Sequence, residues 1–396
     1  MRMPMTRRAA LPFLGALGLA LTGCGGGGGG DDGDKSFAAK AMVDNLADNI
    51  ITATYDALNT AALTLVAVVT NLKNSPTEDN LNAAQDAWRA TRVPWESSEG
   101  FIFGPVDVLA IDPAIDSWPL NTADLAAFLV ATPNATQTDI ENAGDDLRGF
   151  HAMEYLLFGD GVNDNDKAAT ELTAAELNYL IALAQAFQAK TQALYAAWAT
   201  SFNGGAAYAT TLKTPGASNS EYTAYGAVVQ QLINAVAGIA DEVGNAKMAE
   251  PLGSSLAEAD TSKVESQYSW NSLTDFHNNL QSVLNVYTGK RGFSWQADTV
   301  SASLNGLYAF VAFHDGTLAT RVLTEITNAQ KAIALIKGDG NNTSTVISGS
   351  AKPFRTQITD STGRALITTA IAACNTLLTT LRSNVLPLVA KTTFSA

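Results

Sequence analysis

Cysteine is almost absent from this chain: its 396 residues include two, Cys24 and Cys374. Cys24 directly follows the N-terminal targeting segment and its sulfur is expected to be acylated, so no intramolecular disulfide is expected in the mature chain. Cys374 lies in the apolar run Ile371-Ala372-Ala373-Cys374 and reads as a small core residue. Histidine is equally scarce, with three copies, His151, His277 and His314. The one-helix zinc pattern His-Glu-x-x-His is missing, and the inverted His-x-x-Glu-His fails because Tyr155 follows Glu154. Positive charge is in short supply: 24 Lys and Arg against 38 Asp and Glu leave a formal net charge of −14. That balance argues against nucleic acid and anionic membrane surfaces as partners, and it is compatible with cations. There is no P-loop, no dinucleotide fingerprint and no Gly-x-Ser-x-Gly. Alternating β-branched runs are rare too, which leaves an all-α fold as the expectation.

The N-terminus reads as a targeting segment. Arg2, Arg7 and Arg8 precede an apolar run from Ala9 to Ala20 that is too short to span a bilayer. Leu21-Thr22-Gly23-Cys24 follows and resembles a bacterial lipobox. The resemblance implies cleavage after residue 23 and acylation of Cys24. Gly25 rather than Asp follows the cysteine, which by analogy with enterobacterial sorting favours the outer membrane. An ordinary secretory signal with a chance cysteine is the alternative. Residues 24–36, with six glycines from Gly25 to Gly30 and then Asp31-Asp32-Gly33-Asp34, read as an acidic tether. No later stretch is expected to cross a membrane.

From residue 37 to 396 the chain reads as long helices broken by short punctuation. Ala39 to Leu72 is expected as one helix with Leu46, Ile50, Ala53, Ala57 and Ala61 on its buried stripe. Asn74-Ser75-Pro76 ends it, and Thr77 caps a second helix that bends at Pro94 and reaches about Ser98. Three X-Pro or Gly-Pro steps make Gly100 to Pro119 an ordered loop. Further helices are expected over Thr138–Phe158, 174–202, 221–247, 262–287, 301–337 and 354–386, with a polar loop from Gly338 to Ser350. The break between Gly204 and Ser220 divides the chain into two tandem up-down bundles, about 37–203 and about 219–396. A single irregular helical domain is the competing description.

The chemistry concentrates at Gly149-Phe150-His151-Ala152-Met153-Glu154. His151 and Glu154 are three residues apart, so on a helix they share a face at about 5–6 Å. They can grip one ion, or form a buried hydrogen-bonded pair that needs no metal. Arg92 or Arg148 could complete such a polar network.

Three blocks resemble the imelysin-like family. Gly149 to Gly159 carries its Gly-x-His-x-x-Glu pattern; Arg92-Val93-Pro94-Trp95-Glu96-Ser97-Ser98-Glu99-Gly100 and Ile115-Asp116-Ser117-Trp118-Pro119 match a second block; Val264 to Ser269, Asp275-Phe276 and Asn285 to Gly289 match a third. The resemblance implies an exported, all-helical, two-bundle protein. The family is associated both with metallopeptidase activity and with iron regulation and uptake.

A zinc peptidase needs about three protein ligands, an open coordination position and a general base. A single His-x-x-Glu supplies too little, although His151 and Glu154 would be its catalytic pair. Ion binding asks for less, since one imidazole with several carboxylates suits iron or a similar cation. The expected ligands are His151 and Glu154, joined by Glu96 or Glu99, with Arg92, Asp112, Asp116 and Asp275 as secondary candidates. The favoured role is therefore non-catalytic: binding an iron ion, or an iron-bearing ligand, for uptake at the cell envelope. A zinc-dependent peptidase and a surface protein-interaction module are the alternatives. For the anchor, Cys24→Ala should move the protein from the membrane pellet to the soluble periplasmic fraction. Unchanged fractionation would remove the lipobox reading.

Overall fold

The computed structural model describes residues 36–219, 221–292, 294, 304–337 and 352–396. The leader, Cys24, most of the tether and the loop from Gly338 to Ser350 lie outside the described residues. Among those described, helices dominate, and the sole strands are β1 (Ser36–Ala38) and β2 (Thr393–Ser395), which pair in parallel. The all-α expectation therefore holds apart from this small clasp, which joins the start of the domain to its end.

The long helices are α1 (Lys40–Asn74), α2 (Glu78–Glu96), α3 (Thr122–Ala131), α4 (Phe150–Phe158), α5 (Ala174–Ala199), α6 (Tyr225–Asp241), α7 (Ser272–Thr288), α8 (Leu307–His314), α9 (Gly316–Lys337) and α10 (Ser361–Val389). In α1, Leu58, Ala62, Leu65, Val69 and Leu72 repeat every three or four residues and are buried. This stripe lies one position beyond the expected Ala53-Ala57-Ala61. A π turn over Leu46–Thr52 inserts an extra residue and rotates everything after it. Helix α1 packs on α2 and α5, and α4 rests on α2 and α5. Helices α6, α7, α9 and α10 pack on one another. The two groups meet where α2 and the 3₁₀ turn Glu99–Phe101 lie against α6 and α7. Helices α1 and α10 are long and apolar enough to cross a bilayer by length and composition, contrary to expectation. Alanine raises their hydropathy, and both bury most of their larger apolar side chains, wholly or partly, inside the fold.

Three expected helices are shorter than the pattern suggested, and the first two shortenings shape the polar centre. The helix expected from Thr138 breaks after Gln137–Glu141, and α4 starts only at Phe150. Gly149, at φ 80°, makes that break and sits against the Ile115 carbonyl. The helix expected from 262 begins instead at Ser272. The segment 264–271 before it is irregular, with Ser266 (φ 49°) and Trp270 (φ 60°) in the left-handed region. Asp315 splits the expected 301–337 helix by accepting from the amides of Thr317 and Leu318, capping α9. Residues 301–303, where that helix was expected to start, lie outside the described residues. Helix α3 and a short helix over Tyr208–Lys213 were not anticipated.

Gly149 is the position where the backbone leaves no freedom. A Cβ there would meet the Ile115 carbonyl oxygen at 2.4 Å and its carbon at 2.6 Å, in a φ that L residues avoid. Gly149→Ala should lower stability by about 2–4 kcal/mol in urea unfolding. A change under about 0.5 kcal/mol, the scale of a neutral surface substitution, would show that the entry to α4 is not held there.

Candidate functional site

At the junction of the two helix groups the sequence places charge where apolar residues would be expected. Helix α2 buries Leu81, Ala84, Trp88, Thr91 and Trp95 along one stripe, and the same stripe ends in Arg92 and Glu96. Both are fully buried. The Arg92 guanidinium lies 4.6 Å from the centre of the Phe150 ring and forks outward to four carboxylates. It pairs with Glu96 and Asp116, lies 3.1 Å from Asp275 and 3.6 Å from Glu265. A second buried cation, Lys247, is carried by the π turn Glu242–Met248 that follows α6. Its Nζ lies 3.5 Å from Glu96 Oε2 and 3.4 Å from Glu265 Oε2.

His151 enters this cluster from the first turn of α4. Its Nδ1 lies 2.8 Å from Glu154 Oε2, one helical turn on. The other Glu154 oxygen accepts from the Ser269 amide and hydroxyl, each at 2.8 Å. The carboxylate is thus braced from behind by the irregular segment 264–271, and it braces the imidazole in turn. Nε2 points the other way, 3.2 Å from Asp116 Oδ1 and 4.0 Å from Glu265 Oε1, and has no well-formed hydrogen bond. Trp118 packs edge-on against the imidazole with ring centres 4.7 Å apart. Trp95 Nε1 holds the second Asp116 oxygen at 2.7 Å. Asp275 accepts from Ser266 Oγ and Asn271 Nδ2, at 2.6 and 2.8 Å, and Asn279 donates to Glu96.

The donor set fits a metal ion. His151 Nε2, Asp116 and Glu265 each bring a ligand atom within 4.8 Å of the others; Glu96, Glu99 and Asp116 form a second such trio. An imidazole whose far nitrogen is tied to a carboxylate while the near nitrogen lacks a partner is how proteins orient a metal-binding histidine. One nitrogen and several carboxylate oxygens match iron, manganese or zinc better than calcium or magnesium. Of the residues singled out in the sequence, Arg92, Glu96, Glu99, Asp116, His151, Glu154 and Asp275 converge here. Glu154 faces Nδ1, not the Nε2 side where the trio meets. Asp112 is half-buried on the short helix Ile111–Ile115 and is not among the groups that meet at His151. Arg148 pairs with Asp145 and the Glu141 carbonyl, away from the cluster. Sequence reasoning missed Lys247, Ser269 and Asn279, and did not single out Glu265 although it lies in a quoted block.

Ionisation follows from burial and neighbours. Burial alone would lower the His151 pKa, but the Asp116 and Glu154 carboxylates beside its two ring nitrogens outweigh it and raise it to about 9. Burial pushes Glu96 up to about 8 against the pull of Arg92 and Lys247. Burial likewise favours the neutral form of Asp116, yet Arg92 and His151 hold its pKa below the usual carboxylate value. In ion-free protein, folded His151 therefore keeps its second proton more tightly than the unfolded chain does. Its stabilising contribution is complete below pH about 6.5 and is lost as pH rises through about 9. Glu96 acts in the same direction as pH passes through about 8. Chelator-treated protein should show a falling urea midpoint from pH 6.5 to 9.5, and His151→Gln should flatten that slope. A midpoint that rises over this range would contradict the assignment.

The chain is similar to known proteins over most of its length. The chain is 27% identical over 374 residues to iron-regulated protein A of Synechococcus elongatus, covering 94% of this chain and 93% of the relative. Among solved structures it is similar to a protein named as an iron-regulated protein A precursor from Parabacteroides distasonis, with a TM-score of 0.72 and 30% identity. That match covers 87% of this chain and 94% of the other. An imelysin-like protein from Psychrobacter arcticum shares the fold at a TM-score of 0.67 and 15% identity, over 91% of this chain and 99% of its own. The imelysin family profile matches residues 51–381, and the chain belongs to that family.

Proposed function

We propose that the junction cluster captures a single metal ion, iron in the first place, for an envelope-anchored protein that serves iron uptake. The observation that carries this reading is the His151 imidazole. Its Nδ1 is committed to a braced carboxylate, and its Nε2 faces Asp116 and Glu265 without a well-formed hydrogen bond. Iron is favoured over its competitors by the company the chain keeps, since two relatives bear the name iron-regulated protein A. The anchor rests on the lipobox at Cys24 and the glycine-rich tether that follows.

His151, Asp116 and Glu265 would hold the ion, and Glu154 would orient His151 without touching it. The ion would take the place of the proton on Nε2, so binding releases a proton. The surroundings favour a bare ion over a bulky iron-bearing ligand. Asp116, the most exposed of these donors, is 9% exposed, while His151 and Glu154 are fully buried. The same enclosure favours capture over peptide hydrolysis, because a peptide bond has to reach the ion and an attacking water in an open coordination position.

The test is anaerobic equilibrium dialysis against Fe²⁺, with metal counted by mass spectrometry. Wild type should retain one ion and His151→Ala none. Glu154→Gln should weaken affinity by about 10–100-fold, the range for losing a histidine's outer partner. Equal retention by wild type and His151→Ala would remove the proposal.

A further inference from the structure

Lys247 is a charged side chain that capture itself does not require. It is 1% exposed, so its ammonium has been taken wholly out of water. That is costly unless the charge has a task among its neighbours. Its two contacts, 3.5 Å to Glu96 and 3.4 Å to Glu265, are both longer than the 2.7–2.9 Å of a tight charge-assisted bond. The ammonium is balanced between two carboxylates and clamped by neither. These two carboxylates come from different ion-capable trios, Glu265 from the His151 set and Glu96 from the set with Glu99. The trios share Asp116. Two donor sets joined by one common carboxylate form the outline of a two-ion centre, and Lys247 spans it.

We propose that Lys247 is a tethered cation that stands in for a second metal ion and limits the cluster to one. This rests on the capture reading of the same site. Beside Arg92, which pairs with Glu96 and Asp116, the ammonium adds a second positive charge on the Glu96 side and repels a second divalent ion. The π turn at Glu242–Met248 is the local device: its extra residue changes the helical phase on which Lys247 is presented. Lys247 is thus a specificity-determining residue for ion number.

The test uses Mn²⁺ with the full folded domain, counting bound metal by mass spectrometry and recording its electron paramagnetic resonance. Wild type should bind one Mn²⁺ with an uncoupled six-line signal. Lys247→Met should bind two, with the altered signal of neighbouring coupled ions. Adding Glu99→Gln to Lys247→Met should return the count to one. Lys247→Gln, neutral but polar, serves if the methionine variant does not fold, and should also bind two. One uncoupled ion in a folded Lys247 variant would overturn the proposal and leave single-ion capture standing. Two ions in wild type would overturn it as well. No ion in wild type would instead remove the capture reading on which it depends.

Discussion

The fold is organised around a buried guanidinium. Arg92 sits at zero exposure and meets carboxylates from four separate stretches of chain: Glu96 on its own helix, Asp116 within the proline-bearing segment 100–119, Glu265 before α7 and Asp275 within it. Burying that many carboxylates without a counter-charge would be prohibitive, because an isolated ion in a low-dielectric interior loses far more hydration than packing returns. The two helix groups therefore dock with a polar seam because Arg92, joined by Lys247, supplies charge inside it. A buried ionic network of this kind is weak evidence for stability as such. It does fix which atoms face one another, and that is what a binding site needs.

Within the seam, the same restraint acts on His151. Gly149 admits the close approach of α4 to Ile115, the short α4 delivers the imidazole from its first turn, and Ser269 holds Glu154 so that Glu154 can hold Nδ1. The Ser269–Glu154 link is the contact between the first helix group and the segment that precedes α7. The segment 264–271 gives up helix to make these contacts, with two non-glycine residues in the left-handed region. Local strain of this type persists where surrounding contacts over-determine it, and it is common at functional sites. The orientation of one ring is thus linked to the docking of the whole molecule.

Much of this was legible in the sequence. Helix spacing exposed the long elements, and Thr77 marked the start of α2 through a real cap. His151 and Glu154 stood out by their spacing on one helical face, and Arg92, Glu96 and Glu99 through the block that resembles the imelysin-like family. What stayed hidden has two physical causes. Extra residues in π turns shift a stripe without leaving a local signature, so the face of α1 was placed one position out. Tertiary hydrogen bonds can override helix propensity, so 264–271 was read as helix when its serines and Glu265 were committed elsewhere. Lys247 was invisible for a related reason: a lysine in Ala246-Lys247-Met248 looks like any solvent-facing residue until carboxylates from positions 96 and 265 are brought to it.

The central claim is that an ion sits on the Nε2 side of His151, with Asp116 and Glu265 beside it and Glu154 behind. The most direct measurement is a crystal structure of iron-loaded protein phased or mapped at the iron absorption edge. The account requires one anomalous peak at bonding distance, about 2.0–2.3 Å, from His151 Nε2 and carboxylate oxygens of Asp116 and Glu265. A peak elsewhere, or a fully loaded crystal in which Nε2 still faces Asp116 through a proton, would contradict it.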